Sequence, residues 1–128
     1  MRGRTKDMWW GLVIEASDPG ALAGFYTQLL GWPVVEEDPD HAVLGTPQGN
    51  VFVVFQRVPD FVPPVWPGTP EQQRMTMHLD IQVEDIDAAA DDAIALGAKV
   101  ADFQPKDHVR VLIDPAGHPF CLCREVES

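Results

Sequence analysis

The chain reads as an α+β protein made of two βαβββ modules, each a strand, a helix and three more strands. Three observations predict this. The stretch MTMHLDIQV (75–83) alternates apolar Met75, Met77, Leu79, Ile81 and Val83 with polar Thr76, His78, Asp80 and Gln82, the period of a strand with two different faces. Two aspartates, Asp18 and Asp85, stand where helix N-caps belong, and Gly31 and Gly97 stand where those helices must stop. Finally, the order of elements and their punctuation occurs twice along the chain.

In the first module (8–56) residues 9–16 alternate as a strand. Asp18-Pro19 opens a helix, with proline at the first helical position where its missing N–H costs nothing. The helix runs to about Leu30. Three short strands follow at 34–37, 41–45 and 51–56, with Pro47-Gln48-Gly49 turning into the last.

The second module (74–126) repeats this order. A strand spans 75–83, Asp85 caps a helix to about Leu96, and strands follow at 100–103, 108–113 and 120–124. Asp18 falls over Asp85, Leu30-Gly31 over Leu96-Gly97, and Pro47-Gln48-Gly49 over Pro115-Ala116-Gly117. Between the modules, RVPDFVPPVWPGTPEQQ (57–73) holds five prolines, which forbid regular structure and mark a linker or flap. Phe61 and Trp66 within it either pin the segment to the body or form part of a lid. The 128 residues suit a single domain with its own core.

The net charge of −11, without a Lys/Arg cluster, excludes nucleic acid and an anionic membrane surface as expected partners. No apolar run is long enough to span a bilayer. The opening MRGRTKDMWWGLVIEA combines basic residues with an apolar run, but Asp7 and Glu15 interrupt it, and a cytoplasmic protein is the expectation. Cys121 and Cys123, two residues apart on a strand, would be about 6–7 Å apart, too strained for a bridge and suited to a reducing compartment.

One helix per sheet covers one sheet face. Met75, Met77, Leu79, Ile81 and Val83 are assigned to that face, as are Trp10, Leu12, Ile14 and Ala16. Trp9, Gly11, Val13 and Glu15 are left on the other face with His78 and Asp80, and Val53, Phe55, Cys121 and Cys123 are expected to line it too. Such a mixed face, apolar with a few polar groups, is rarely left in open water, so a sheet curved around a cavity is expected.

The doubled module, with DPGALAGFYTQLLGW (18–32), MHLDIQVEDIDAAADDAIALGA (77–98) and DPAGHPFCL (114–122), resembles the vicinal oxygen chelate superfamily. Its members include glyoxalase I, extradiol dioxygenases and bleomycin-resistance proteins. The closest resemblance is to small bacterial glyoxalase-like domain proteins. This resemblance implies the glyoxalase/bleomycin-resistance fold, a cup-shaped mixed sheet with its helices outside, and a homodimer. It also places the superfamily's metal ligands at Gly11, Val53, His78 and Cys121. Gly11 and Val53 carry no donor atom, so the usual metal site is not expected to be complete.

Two readings follow. In one, the cavity binds a small organic molecule without that metal, between Trp9, Val53, Phe55, Trp66 and Cys121. In the other, the protein is a glyoxalase-like lyase or isomerase, or a dioxygenase. It would then use Glu15, His78 and Asp80 either as a metal-free acid–base group or around a displaced zinc, nickel, manganese or iron ion held by His78. A ligand-free dimerisation module is the third possibility. His41, His108 and His118 are read as surface or turn residues, and Cys121 and Cys123 as small apolar groups.

Overall fold

The computed structural model of the chain describes residues 1–124. The chain divides into two compact units, Met1–Phe61 and a second beginning at Val62, so the division falls inside the proline-rich segment. The last residues expected in the second module, 125 and 126, lie outside the described residues.

In the first unit the strands are β1 (Trp10–Ala16), β2 (Val34–Asp38), β3 (His41–Gly45) and β4 (Val51–Arg57), with helix α1 (Pro19–Leu30) between β1 and β2. The sheet order is β1-β4-β3-β2, parallel between β1 and β4 and antiparallel elsewhere. The Asp18 side chain accepts the Ala21 backbone N–H, and Gly31 ends the helix at φ 75°, a left-handed conformation suited to glycine. Leu22, Ala23, Phe25 and Tyr26 lie at helical spacing on one face of α1 and are buried with Ala42, Leu44, Val53 and Phe55.

In the second unit the strands are β5 (Leu79–Gln82), β6 (Lys99–Val100), β7 (Val109–Ile113) and β8 (Pro119–Cys123), with α2 (Ile86–Ala95) after β5. The order β5-β8-β7-β6 repeats that of the first unit, with β5 parallel to β8. Asp85 caps α2 by accepting the Ala88 N–H. Ile86, Ala90 and Ala93 on α2 are buried with Leu112, Phe120 and Leu122. Both sheets are mixed and open, and the expected module order holds twice.

Two strands are shorter than their patterns suggest. The expected strand at 75–83 pairs only from Leu79, opposite Phe120. Its partner β8 leaves a tight turn at Pro119, which has no N–H to donate, so residues 75–78 have no ladder to join. Met77 is therefore exposed rather than packed on a helix. Strand β6 ends at Val100 because Gln104 takes over the pairing. Its side-chain amide donates to the carbonyls of Ala101 and Val111 and accepts the Val111 N–H.

Among the described residues, no helix is long and apolar enough to cross a membrane. Both cysteines are free.

Candidate functional site

The site is built on the parallel pair β5 and β8. Upstream of β8, the Asp114 carboxylate accepts the N–H groups of Ala116 and His118, and Gly117 closes the turn at φ 100°. That turn joins β7 to β8 in antiparallel register, and along the other edge of β8 Asp80 of β5 stands opposite Cys121. Partners in a parallel ladder share a face, so carboxylate and thiol emerge side by side. His78, just before β5, lies on the same side, its Nε2 3.0 Å from Asp80 Oδ1. One ligand atom each from His78, Asp80 and Cys121 lies within 4.8 Å of the others.

These three open into a cleft of about 250 Å³ whose lining comes entirely from the second unit. Trp66, Met75, Val109, Val111 and Pro119 form its apolar wall, and Lys106 adds a cation. Trp66 is delivered by the proline-rich segment. Val65 pairs with Arg74 in a short bridge, and the Trp66 ring stands 5.7 Å from that of Phe103. Pro63 of the same segment rests against Gly117, where an added Cβ would come within 2.5 Å of the proline ring.

The electrostatics of the trio bear on Cys121. Burial, then the Asp80 carboxylate and Cys123, with a hydrogen bond to Asp80, push its thiol up to about 11. Burial and Asp80 also raise Cys123. Without a bound cation, Cys121 is thus a protonated thiol at neutral pH rather than a nucleophile, because the thiolate is the reactive form.

Several sequence expectations meet this geometry. His78, Asp80, Trp66 and Cys121 all line the cleft. Val53 and Phe55 do not face an open sheet surface. Through the parallel register Leu12↔Val53 and Ile14↔Phe55 they share the face covered by α1, where Phe55 stacks on Tyr26 at 5.5 Å and 7°. The expectation that they line a ligand cavity is corrected: they are core. Residues Phe52 and Val54 instead share the open face with Gly11 and Val13. Trp9 sits there too, edge-on to Phe52 at 6.1 Å and two-thirds exposed. Glu15 is exposed on β1. Both belong to the first unit, whereas the cleft is lined without them.

Met75 and Lys106 are cleft residues that sequence reasoning missed. Alternation assigned Met75 to the helix face of a strand that does not extend so far. Lys106 lies in a loop that carries no pattern at all.

A second histidine–carboxylate group, in the first unit, closes the β2–β3 hairpin. His41 faces Asp38 at 2.9 Å and Glu36 at 3.4 Å. The Asp40 backbone N–H, outweighing desolvation and helped by His41, holds the Asp38 carboxyl below its ordinary value. This is a turn-closing cluster in which His41 is half-buried.

A glyoxalase-like domain family model matches residues 11–123. The chain belongs to the glyoxalase-like domain family. It is accordingly a member of the vicinal oxygen chelate superfamily, as its motifs suggest. It is similar in structure to a glyoxalase/bleomycin resistance protein/dioxygenase family enzyme from Burkholderia phytofirmans PsJN, at 21% identity and TM-score 0.67, covering 91% of this chain and 97% of that one. A glyoxalase-related enzyme from Fulvimarina pelagi matches at 16% identity and TM-score 0.67, with 94% and 89% covered. A glyoxalase/dioxygenase from Nostoc punctiforme matches at 20% identity and TM-score 0.63, with 91% and 90% covered. These likenesses are of fold. No curated protein matches the chain.

Members of this superfamily often hold a metal. Of the four positions the resemblance implies, Gly11 and Val53 have no donor atom, and Val53 faces the core. His78 and Cys121 do have donors, and Asp80 adds a carboxylate beside them. His78 precedes the regular strand, and its Nε2 stands 3.0 Å from Asp80 Oδ1. One imidazole, one carboxylate and one thiol match the number and type of ligands at a catalytic zinc site with one position open. The residues fit a metal, through a set different from the implied one.

Proposed function

We propose that the cleft of the second unit binds a small organic molecule. The observation that carries this reading is the juxtaposition, in one cleft of about 250 Å³, of an apolar wall with the hydrogen-bonded His78–Asp80 pair. Apolar walls with a few placed polar groups are the usual make-up of a ligand site, and the volume, below the ~300–1,000 Å³ of drug-sized sites, suits a small metabolite. Trp66 and Val111 supply apolar contact, while His78 and Asp80 fix orientation through hydrogen bonds. The test is a thermal-shift screen of small metabolites on the natural protein and on Met75→Trp, which fills the cleft. Compounds that stabilise the first and not the second support the reading. Stabilisation of both alike, or of neither, removes it.

The grouping of His78, Asp80 and Cys121 favours a second reading: a glyoxalase-like lyase or isomerase, or a dioxygenase, working with a divalent zinc, nickel, manganese or iron ion. Such an ion, when bound, supplies Lewis-acid polarisation of a substrate oxygen. The chain's own part is to present three donors in a largely apolar cleft and to orient the substrate against Trp66 and Val111. Elemental analysis of protein purified without chelator or metal-affinity resin separates the readings. A near-stoichiometric ion that is lost in His78→Ala selects the enzyme, and its absence from both proteins leaves the binding module.

A further inference from the structure

We propose that His78, Asp80 and Cys121 form a thiolate-containing cation site that prefers ions of the zinc class, zinc, cadmium and cobalt(II), over oxygen-preferring manganese and magnesium. The inference deepens the metal reading above by naming the ion class and the ligand atoms. It needs no organic ligand, so it fails or stands separately from the binding of one.

The positions of the donors carry it. Asp80 and Cys121 are ladder partners on adjacent parallel strands, which holds their backbones about 4.7–4.9 Å apart with both side chains on one face. His78 is already held at 3.0 Å from Asp80, so the imidazole needs no search to join them. Around a tetrahedral ion with ordinary zinc bond lengths, donors stand about 3.4–3.6 Å apart. The observed spread within 4.8 Å is within reach of side-chain rotation alone. Two of the three donors thus sit on neighbouring strands of one sheet and the third is hydrogen-bonded to one of them, an arrangement that lies entirely inside the second unit.

The donor types set the ion class. A thiolate favours zinc-class and softer cations, whereas manganese and magnesium select carboxylate, carbonyl and water oxygen. Three protein donors leave a fourth position for a ligand in the cleft that Trp66 and Val111 also line. Binding forms a metal–sulfur bond as the Cys121 S–H bond breaks, and the proton leaves to solvent, one per ion.

The experiment uses the full-length reduced protein, stripped of metal with a chelator and then desalted. Cobalt(II) and cadmium are titrated while the sulfur-to-metal charge-transfer absorption is followed in the ultraviolet. The expected result is a band that saturates at one equivalent, is abolished by Cys121→Ser and is retained by Cys123→Ser. His78→Ala and Asp80→Asn, checked for folding by circular dichroism, are expected to weaken cadmium affinity by more than the ~10–100-fold that an outer-shell change costs. About a hundredfold excess of manganese is expected to leave the cobalt band in place. A folded protein with no band, or a band that survives Cys121→Ser, overturns the site. Displacement of cobalt by manganese overturns the ion class.

Discussion

Asp80 and Cys121 are separated by forty residues of chain and stand directly opposite each other on strands β5 and β8. The carboxylate accepts a hydrogen bond from the thiol and, by its charge, opposes the thiol's ionisation. The same carboxylate is 3.0 Å from His78. Asp80 is thus the hub of the cleft, and the first prediction follows from its charge.

In metal-free protein the Cys121 thiol is expected to ionise near 11. Asp80→Asn removes the repelling charge and lowers that value, though burial, the largest cause, keeps it above the ordinary 9.0. Alkylation rate against pH, in a Cys123→Ser background, reads both values. The sign for stability also follows: between 9.0 and about 11 the folded state holds a proton that the unfolded state has lost, so stability falls as pH rises through that window. The urea midpoint of the natural protein should drop more over this window than that of Cys121→Ser. Equal slopes would contradict the raised thiol.

Phe55 has no exposed surface and stacks on Tyr26. Phe55→Ala is expected to cost about 3–5 kcal/mol, the range for emptying a buried aromatic position. Urea denaturation measures it. A loss below about 1 kcal/mol would be the behaviour of a surface or cavity-lining residue rather than a core one.

Asp18 and Asp85 cap the two helices in the same way, each accepting the N–H three residues on. Asp18→Ala and Asp85→Ala are each expected to lose about 0.5–2 kcal/mol, and substitution by Ser or Asn to restore most of it. Thermal or urea unfolding of the six variants checks this. If Asn recovers nothing, the cap hydrogen bond is not the source of the stability.

Gly117 carries two constraints at once, a φ of 100° and the ring of Pro63 where a Cβ would stand. Gly117→Ala is expected to cost more than about 1 kcal/mol, since alanine both strains that backbone and crowds the proline. It should also push the proline-rich segment outward and shift Trp66 fluorescence toward that of an exposed indole. Comparing the spectrum with that of Trp66→Phe isolates the Trp66 signal. An unchanged Trp66 emission would show that Pro63 and Trp66 are not coupled.

What the sequence determined by itself is local or periodic. Asp18-Pro19 and Gly31 mark a helix because capping and left-handed termination are satisfied within a few residues. The repeat of these signals around Asp85 and Gly97, with the turns at Gly49 and Gly117, established two modules of one design and the family they belong to. The alternation in 75–83 separated His78 and Asp80 from Leu79 and Ile81, and both polar residues line the cleft.

Only the tertiary structure decided which strand face is covered and how far a strand extends. Alternation divides Val53 and Phe55 from Phe52 and Val54 but does not say which pair meets the helix, because that depends on the parallel register with β1. The ladder likewise begins at Leu79 because its partner begins at Pro119, a fact that lies forty residues away. The pairing of Asp80 with Cys121, the reach of Trp66 and the arrival of Lys106 are of the same kind. Each depends on contacts between segments distant in the chain, where the spacing of residues carries no signal.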